Sequence, residues 1–466
     1  MTDPITVLSR IKANGAWLVG GAVRDRLLGR PTADYDVAVQ EEPRTLAREL
    51  ARSTRAHAFA LSEGFGVWRV VARDHTWQVD VLPVGGGSIE ADLGKRDLTI
   101  NAIAEPLSGE GYVDPFGGLR DLRARRLRMV SREAFTEDPL RALRLARLGC
   151  ELGFDVEAET AAVAAANAPR LRDVAPERIF GELKRILATD RAVEGVELMD
   201  ALQATGAVLP ELAELRGVQQ SPYHHLDVRE HTLAVLAATI ELEGAPERWL
   251  GRHAEAIHAF LAEPLANELT RGQALRFGAL FHDIAKPQTR NVTAEGRITF
   301  IGHDRTGAEM AHSVLSRLRA SERLCEYVAA LARHHLRLGF LVHEMPLTRR
   351  AVYRYLRVTD PVQVDVTLLS VADRLATRGK GSEKAIAHHV ELADQLVGEA
   401  LAWRAKPPRP PIRGDELARE IGLRPGPEIG RLLDELEEAS FAGEIQSRDQ
   451  AVEHARDVLR AAAPDR

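Results

Sequence analysis

Asp34 and Asp36 stand two residues apart at the head of the alternating segment 35–39 (YDVAV). Side chains two apart on a strand face the same side, so both carboxylates converge. Hard oxygen ligands held together suit Mg²⁺. Two such ions could align a 3′-hydroxyl and a leaving pyrophosphate for in-line displacement. Asp80, in the alternating segment 77–82 (WQVDVL), is a candidate third carboxylate for that cluster. Upstream, Gly20 and Gly21 follow a strand at 16–19 (AWLV) and precede a helix at 22–28. There, backbone N–H groups can approach a triphosphate, and a helix N-terminus favours its charge. Arg24, one turn into the helix, can pair with a phosphate oxygen. A lone GG is usually a turn and a lone DxD a solvated loop, but GGAVRD with a strand-borne DxD nine residues beyond is far more specific.

These residues resemble the class II tRNA nucleotidyltransferase and poly(A) polymerase group of the polymerase β-like superfamily. The resemblance continues at 92–104 (DLGKRDLTINAIA), where the family carries an RRD motif. It implies that Arg96 contacts nucleotide phosphates and that Asp97 reads the ribose 2′-hydroxyl. The first motif position is Lys95 here, which keeps the charge. Residues 113–130 match the family's run into its neck, and residues 135–154 (FTEDPLRALRLARLGCELGF) match its base-selecting motif, with Glu137, Asp138 and Arg141 as EDxxR. The i, i+3 spacing of Asp138 and Arg141 predicts one shared helix face. A carboxylate can accept from the exocyclic amine of C or A while Arg donates to a ring nitrogen. G and U present the wrong edges, so side chains would replace a nucleic-acid template. Arg144 and Arg147 continue the face and, by resemblance, help hold the triphosphate. Residues 120–147 carry nine Lys/Arg against four Asp/Glu, which suits a phosphate-lined cleft. Residues 175–187 (APERIFGELKRIL) resemble the next helical element, with packing and tRNA contact as the expected roles.

A second constellation spans residues 224–373, with His231, His282, Asp283, His303, His334, His335 and Asp373. Thirteen of the chain's sixteen histidines fall between His224 and Ala400, a concentration that points to a site. An isolated His, an HD doublet and a distant Asp resemble the HD superfamily, through HLDVREHTL, LFHDIAKP, GHDRTGAE, LARHHL and SVADRLA. Imidazole suits a divalent transition metal, and a carboxylate completes or bridges the set. The resemblance implies that His231, His282, Asp283 and Asp373 hold one ion, and that His303 and His335 hold a second or orient a phosphate. His334 competes with His335. Hydrolysis of phosphoesters such as 2′,3′-cyclic phosphates or nucleotides is implied; a degenerate tRNA-binding body is the alternative.

The elements that must position these groups are ordinary globular ones. With 45% hydrophobic and 28% charged residues, the 466-residue chain is too apolar for disorder, and its length suggests about three domains. A net charge of −6 excludes a wholly basic nucleic-acid coat. Two cysteines exclude a disulfide scaffold and fit a reducing compartment. No apolar run is long enough for a bilayer, and the first fifteen residues lack a signal-peptide core, so a cytoplasmic protein with no membrane partner is expected. β-Branched and aromatic runs at 35–39, 67–72 and 77–82 predict strands, with a helix at 43–53. Helical spacing dominates after Asp121. The expected architecture is an α/β nucleotidyltransferase head (1–125), a helical neck and body (126–220), an HD metal-binding helical domain (221–400) and a helical tail (401–466). The proline-rich segment 406–412 (KPPRPPI) predicts a linker. The tail run 410–445 resembles a C-terminal element of bacterial members, and helical packing explains it equally well.

Only VLPVGGGSIEADLG separates Asp80 from Lys95. Members of the family that complete a CCA end carry a longer mobile loop there, thought to reshape the pocket from C to A, and an Arg soon after the strand where Leu82 and Pro83 stand here. A shortened loop marks the CC-adding subgroup. The sequence therefore points to a transferase adding C from CTP to the tRNA 3′ end, with a separate A-adding enzyme as partner. Full CCA addition using ATP as well, with lineage-specific trimming, is the alternative, and poly(A) synthesis fits less well. Two other classes compete: an HD phosphohydrolase whose front domain only binds nucleotide or RNA, and a nonenzymatic RNA-binding scaffold. Intact Asp34, Asp36, Arg96 and Asp97 weigh against the former, and two metal-type residue sets against the latter.

Overall fold

The computed structural model describes residues 4–11, 15–62, 64, 66–220, 226–378 and 382–462. His224 and His225, counted above, lie outside the described residues. The chain forms two compact units, Met1–Val208 and Leu209–Arg466.

The first unit is built on a six-stranded mixed sheet. Its strands are β1 (Ala16–Val19), β2 (Asp34–Val39), β3 (His57–Ser62), β4 (Val67–Val71), β5 (Gln78–Pro83) and β6 (Ala104–Pro106), in the order β3-β4-β5-β2-β1-β6. Only β2 and β5 run parallel, with Asp36 opposite Asp80 and Asp34 opposite Gln78. Alternation along β2 and β5 does the sorting. Val37, Val39, Val79 and Val81 enter a core with Leu46, Ala47 and Leu50 of helix α2 (Pro43–Thr54). The three aspartates point to the other face. Helix α1 (Gly21–Leu27) leaves β1 through Gly20. Two strands are weak in the sequence. β3 (HAFALS) is mostly exposed at the sheet edge, and β6 has three residues.

Beyond the sheet, helices α3 (Arg141–Leu152) and α4 (Pro176–Ala188) pack together. Leu140, Leu143, Leu145 and Leu148 are all buried. One expectation fails here: Asp138 and Arg141 do not share a helix. Asp138 is extended (φ −137, ψ 96) and closes the short helix Glu133–Glu137, while α3 begins at Arg141. Pro139 is the reason, because its ring drives the preceding residue out of helical space.

The second unit is mostly helical. Helices α5 (Val228–Gly244), α6 (Arg271–Phe281), α7 (His303–Arg317), α8 (Glu322–His334), α9 (Gln363–Ala376) and α10 (Ser382–Ala405) form its body. Helix α5 packs on α6 and α9, α6 on α8, and α8 on α7. Capping boxes start α5 (Asp227 with Glu230) and α6 (Thr270 with Gln273), satisfying amides that would otherwise lack partners. Every residue of α6 after Arg271, except Gln273, is buried. A Cβ on its Gly278 would lie 2.4 Å from Leu331 Cδ1, so α6 and α8 approach through a glycine. Two small hairpins, 264–270 and 291–299, interrupt what the sequence reads as continuous helix. Residues 406–412 carry no regular structure between α10 and Gly414–Ile421. The tail packs within this unit: Tyr353, Trp403 and Phe441 stack together, and Arg350 pairs with Glu435 and Glu444.

Candidate functional site

Around β2, α1 and α3 lies a cavity of about 570 Å³. Gly20, Gly21, Arg24, Asp34, Asp36, Arg96, Asp97, Arg141, Arg144 and Arg147 line it. Gly20 has φ +72, which costs other residues about 1–2 kcal/mol. A Cβ there would also stand 2.6 Å from Arg96 Nη1 and 3.5 Å from Asp36 Oδ2. The glycine thus seats the Arg96 guanidinium beside the acidic pair. Asp36 is exposed to the cavity, but the atoms crowded around its carboxyl partly desolvate it. That desolvation, with Asp80 and Asp34 nearby, holds its carboxyl above the usual range despite Arg96. A carboxylate held in this way fits a bound cation, and with Asp34 beside it Mg²⁺ suits the pair.

The other charges are held by neighbours. Arg24 donates twice to Asp25 and once to Asn101 Oδ1 at 2.7 Å. Asp97 is buried, which alone would raise its pKa. The Arg144 charge, Asn101 and the Leu98 amide more than reverse this, and the carboxyl stays below its usual range. Arg144 also lies 3.5 Å from Glu182, and the buried Arg147 pairs with Glu182 and Glu151. Arg141 differs: it donates to the carbonyls of Lys95 (2.7 Å) and Ala134 (3.1 Å) and meets no carboxylate there. Its Nε is buried without an acceptor.

Three expected residues lie off the cavity wall. Both oxygens of Asp80 accept from Arg69 at 2.7 Å, although it neighbours Asp36 across the sheet. Asp138 accepts from the Leu140 amide at 3.2 Å and from Arg178 at 2.8 Å. Glu137 ends its short helix outside the cavity. Sequence reasoning missed Asn101, Glu182 and Arg185, which do line it. A buried glutamate on the apolar face of α4 was the available signal for Glu182.

In the second unit, His231, His282 and Asp283 converge, as do Asp283, His303 and His335. Asp283 belongs to both groups. Its Oδ2 lies 3.1 Å from His282 Nε2 and 3.7 Å from His231 Nε2; its Oδ1 lies 3.4 and 3.7 Å from the Nε2 atoms of His303 and His335. Asp373 Oδ1 is 3.0 Å from His231 Nε2. The rings of His282, His303 and His335 each place Nδ1 at 2.7–2.8 Å from the carbonyl three residues back. An Nδ1–H donor in each bond turns the Nε2 lone pairs inward, an arrangement found around bound metals. Burial pushes His335 down to about 4, which keeps it neutral and able to ligate. Burial opposes charge on Asp283, but His282 and Lys286 hold it well below the carboxylate range. The buried imidazoles and carboxylates fit divalent ions, with Asp283 placed to bridge two.

His334 points away and accepts from Arg337 at 2.9 Å. Sequence reasoning missed Lys286, whose Nζ sits 2.6 Å from Asp283 Oδ2 and 2.6 Å from Gln220 Oε1. A lysine three residues after the doublet was its signal. It also missed His389 and Arg374, which with His335 and Asp373 line an adjoining cavity of about 280 Å³.

Comparison with known proteins places these sites in a family. The poly A polymerase head domain model matches residues 16–85 and 72–128. The model of a probable RNA- and SrmB-binding site of polymerase A matches 153–215, and the HD domain model matches 228–378. The chain is 36% identical over 443 residues to the A-adding tRNA nucleotidyltransferase of Deinococcus radiodurans, covering 94% of each chain. It is 35% identical over 445 residues to the CC-adding tRNA nucleotidyltransferase of Thermus thermophilus, covering 94% of this chain and 92% of that one. The fold is shared with a Thermotoga maritima CCA-adding enzyme solved with tRNA, at TM-score 0.64 and 18% identity, over 98% of this chain and 96% of that one. The chain belongs to the tRNA nucleotidyltransferase family, with a polymerase head followed by an HD domain. No helix among the described residues is long and apolar enough to cross a membrane.

Proposed function

We propose that this enzyme adds two cytidylates from CTP to the 3′ end of tRNA and leaves the terminal A to a separate enzyme. The observation that carries the restriction to C is the link from β5 to the helix Ile89–Leu93. Five residues, 84–88, make a tight turn with Gly86 and Gly87 at positive φ. Asp92 accepts from the Gly85 amide at 3.1 Å, and Ser88 caps the helix through the Ala91 amide. So short and bonded a turn has no length with which to remodel a base pocket. Similarity does not separate the outcomes, because A-adding and CC-adding relatives are nearly equally close.

In this reading Asp34 and Asp36 hold Mg²⁺, which supplies charge neutralisation for the pyrophosphate and activation of the 3′-hydroxyl. Arg96, Arg24 and Arg144 orient the triphosphate, and Asp97 the ribose. Arg141 and Asp138 read cytosine, Asp138 first releasing Arg178. The four-part division 1–125, 126–220, 221–400 and 401–466 and a cytoplasmic location belong to the same reading. The histidine cluster holds divalent transition ions and hydrolyses phosphoesters.

Transcripts ending at the discriminator base, at C and at CC, each given CTP, ATP or both, test the transferase. Extension is expected to stop at CC, with no A added. A third step would make this a complete CCA enzyme, and addition of A alone to the CC end would make it an A-adding one. No extension on any end would move the function to the hydrolase.

A further inference from the structure

The sheet face opposite the carboxylates carries an unexplained basic surface. Arg44, Arg48 and Arg52 recur every four residues on α2, so they rise one above another by about 6 Å per step. Arg55, just past the helix end at φ +58, and Arg73 complete the group. All five are exposed. Arg48, Arg52, Arg55 and Arg73 line an open cavity of about 650 Å³. The guanidinium carbons of Arg44 and Arg48 lie 5.7 and 5.6 Å from the Trp68 ring centroid, which steadies them without neutralising them. Elsewhere in this unit arginines are mostly paired: Arg24, Arg69, Arg126, Arg144 and Arg147 all meet carboxylates. Among the described residues, no carboxylate lies within ion-pairing distance of these five.

We propose that this surface binds the phosphate backbone of the tRNA, on the face of the head opposite the carboxylates. The partner follows from the chemistry. Unpaired guanidinium groups repeating along one helix suit a regular polyanion. A lipid surface would call for apolar side chains among the arginines. The exposed Phe59 instead sits opposite Arg69, whose side chain reaches Asp80 on the other face. The inference rests on the reading that this enzyme handles tRNA.

The test is the binding of a 5′-labelled tRNA transcript, followed by fluorescence anisotropy over a salt series, for the wild type and R48E/R52E/R55E. The variant is expected to bind at least tenfold more weakly. Its log affinity should fall less steeply with log salt, by about 2–3 units for three lost phosphate contacts. It should still add C to a short acceptor hairpin at the wild-type kcat, and R48K/R52K/R55K should restore binding. If the reversed variant does not fold, R48Q/R52Q/R55Q is measured against the same criteria. Unchanged affinity and slope would overturn the proposal, as would loss of binding to anionic phospholipid vesicles with tRNA binding intact. If the wild type binds tRNA but adds nothing to it, the proposed reaction fails while this comparison still decides the surface.

Discussion

The two sites solve opposite problems with similar side chains. The head cavity is wide and open, and the charges lining it are held by neighbours: Arg24 by Asp25, Asp97 by Arg144, Arg147 by Glu182. The histidine centre is closed and preassembled, with three rings pinned by backbone carbonyls and Asp283 at the middle. An open site whose arginines already have partners can exchange those partners for phosphates as nucleotides come and go. A centre whose pinned rings turn their Nε2 lone pairs inward is built to keep an ion. Exchangeable ion pairs along an open wall therefore suit turnover of a large anionic substrate, and pinned imidazoles suit a resident metal.

The strongest test of that contrast is to disable each half. Asp36→Ala should lower nucleotide addition about a thousandfold or more, because loss of the proposed Mg²⁺ ligand would remove several kcal/mol of transition-state stabilisation. Metal content of the histidine centre, read by elemental analysis, should not change. Asp283→Ala should do the reverse, emptying both halves of that centre while addition to tRNA persists; retention of even one ion would break the bridging geometry. Gly20→Ala should cost addition roughly 10–100-fold, by displacement of Arg96, and its backbone strain of about 1–2 kcal/mol should lower the melting temperature by only a few degrees. Arg69→Ala should have a smaller effect, about tenfold on kcat/KM, by freeing Asp80 beside Asp36; no effect would make Asp80 a structural partner only.

The last expected effect is on stability rather than on turnover. Burial pushes His389 down to about 4, and it meets Ser370 Oγ at 3.1 Å. The unfolded chain takes up that proton near 6.5, so the contribution is complete above about 6.5 and is lost as pH falls toward 4. The full span is worth about 3 kcal/mol. Thermal melts of the second unit should decline over this window, and His389→Gln should flatten the decline. The head cavity offers no matching buried neutral histidine among the described residues.

Much of both sites was legible in the residues. The DxD pair on an alternating strand, the two glycines before a helix, and the histidines with their HD doublet all depend on spacing within one element or on residue type. Spacing misled once, at Asp138 and Arg141. The i, i+3 count assumed one helix, and Pro139 between them breaks it. Strand β3 was hard to see because an exposed edge strand with alternating alanines carries little hydrophobic pattern.

What the sequence determined alone was the chemistry available: carboxylates two apart, a run of arginines, a set of imidazoles, a link of five residues where a loop would stand. Only the tertiary structure decided partnership. Asp80 faces the acidic pair, yet an arginine one strand away takes both its oxygens. His335 enters the centre and His334 leaves it because adjacent residues near a helix end point about 100° apart, and one direction is inward. Glu182, Lys286 and His389 meet Arg147, Gln220 and Ser370 across 35, 66 and 19 residues of chain. Pairings of that kind are set by packing, which local spacing does not encode.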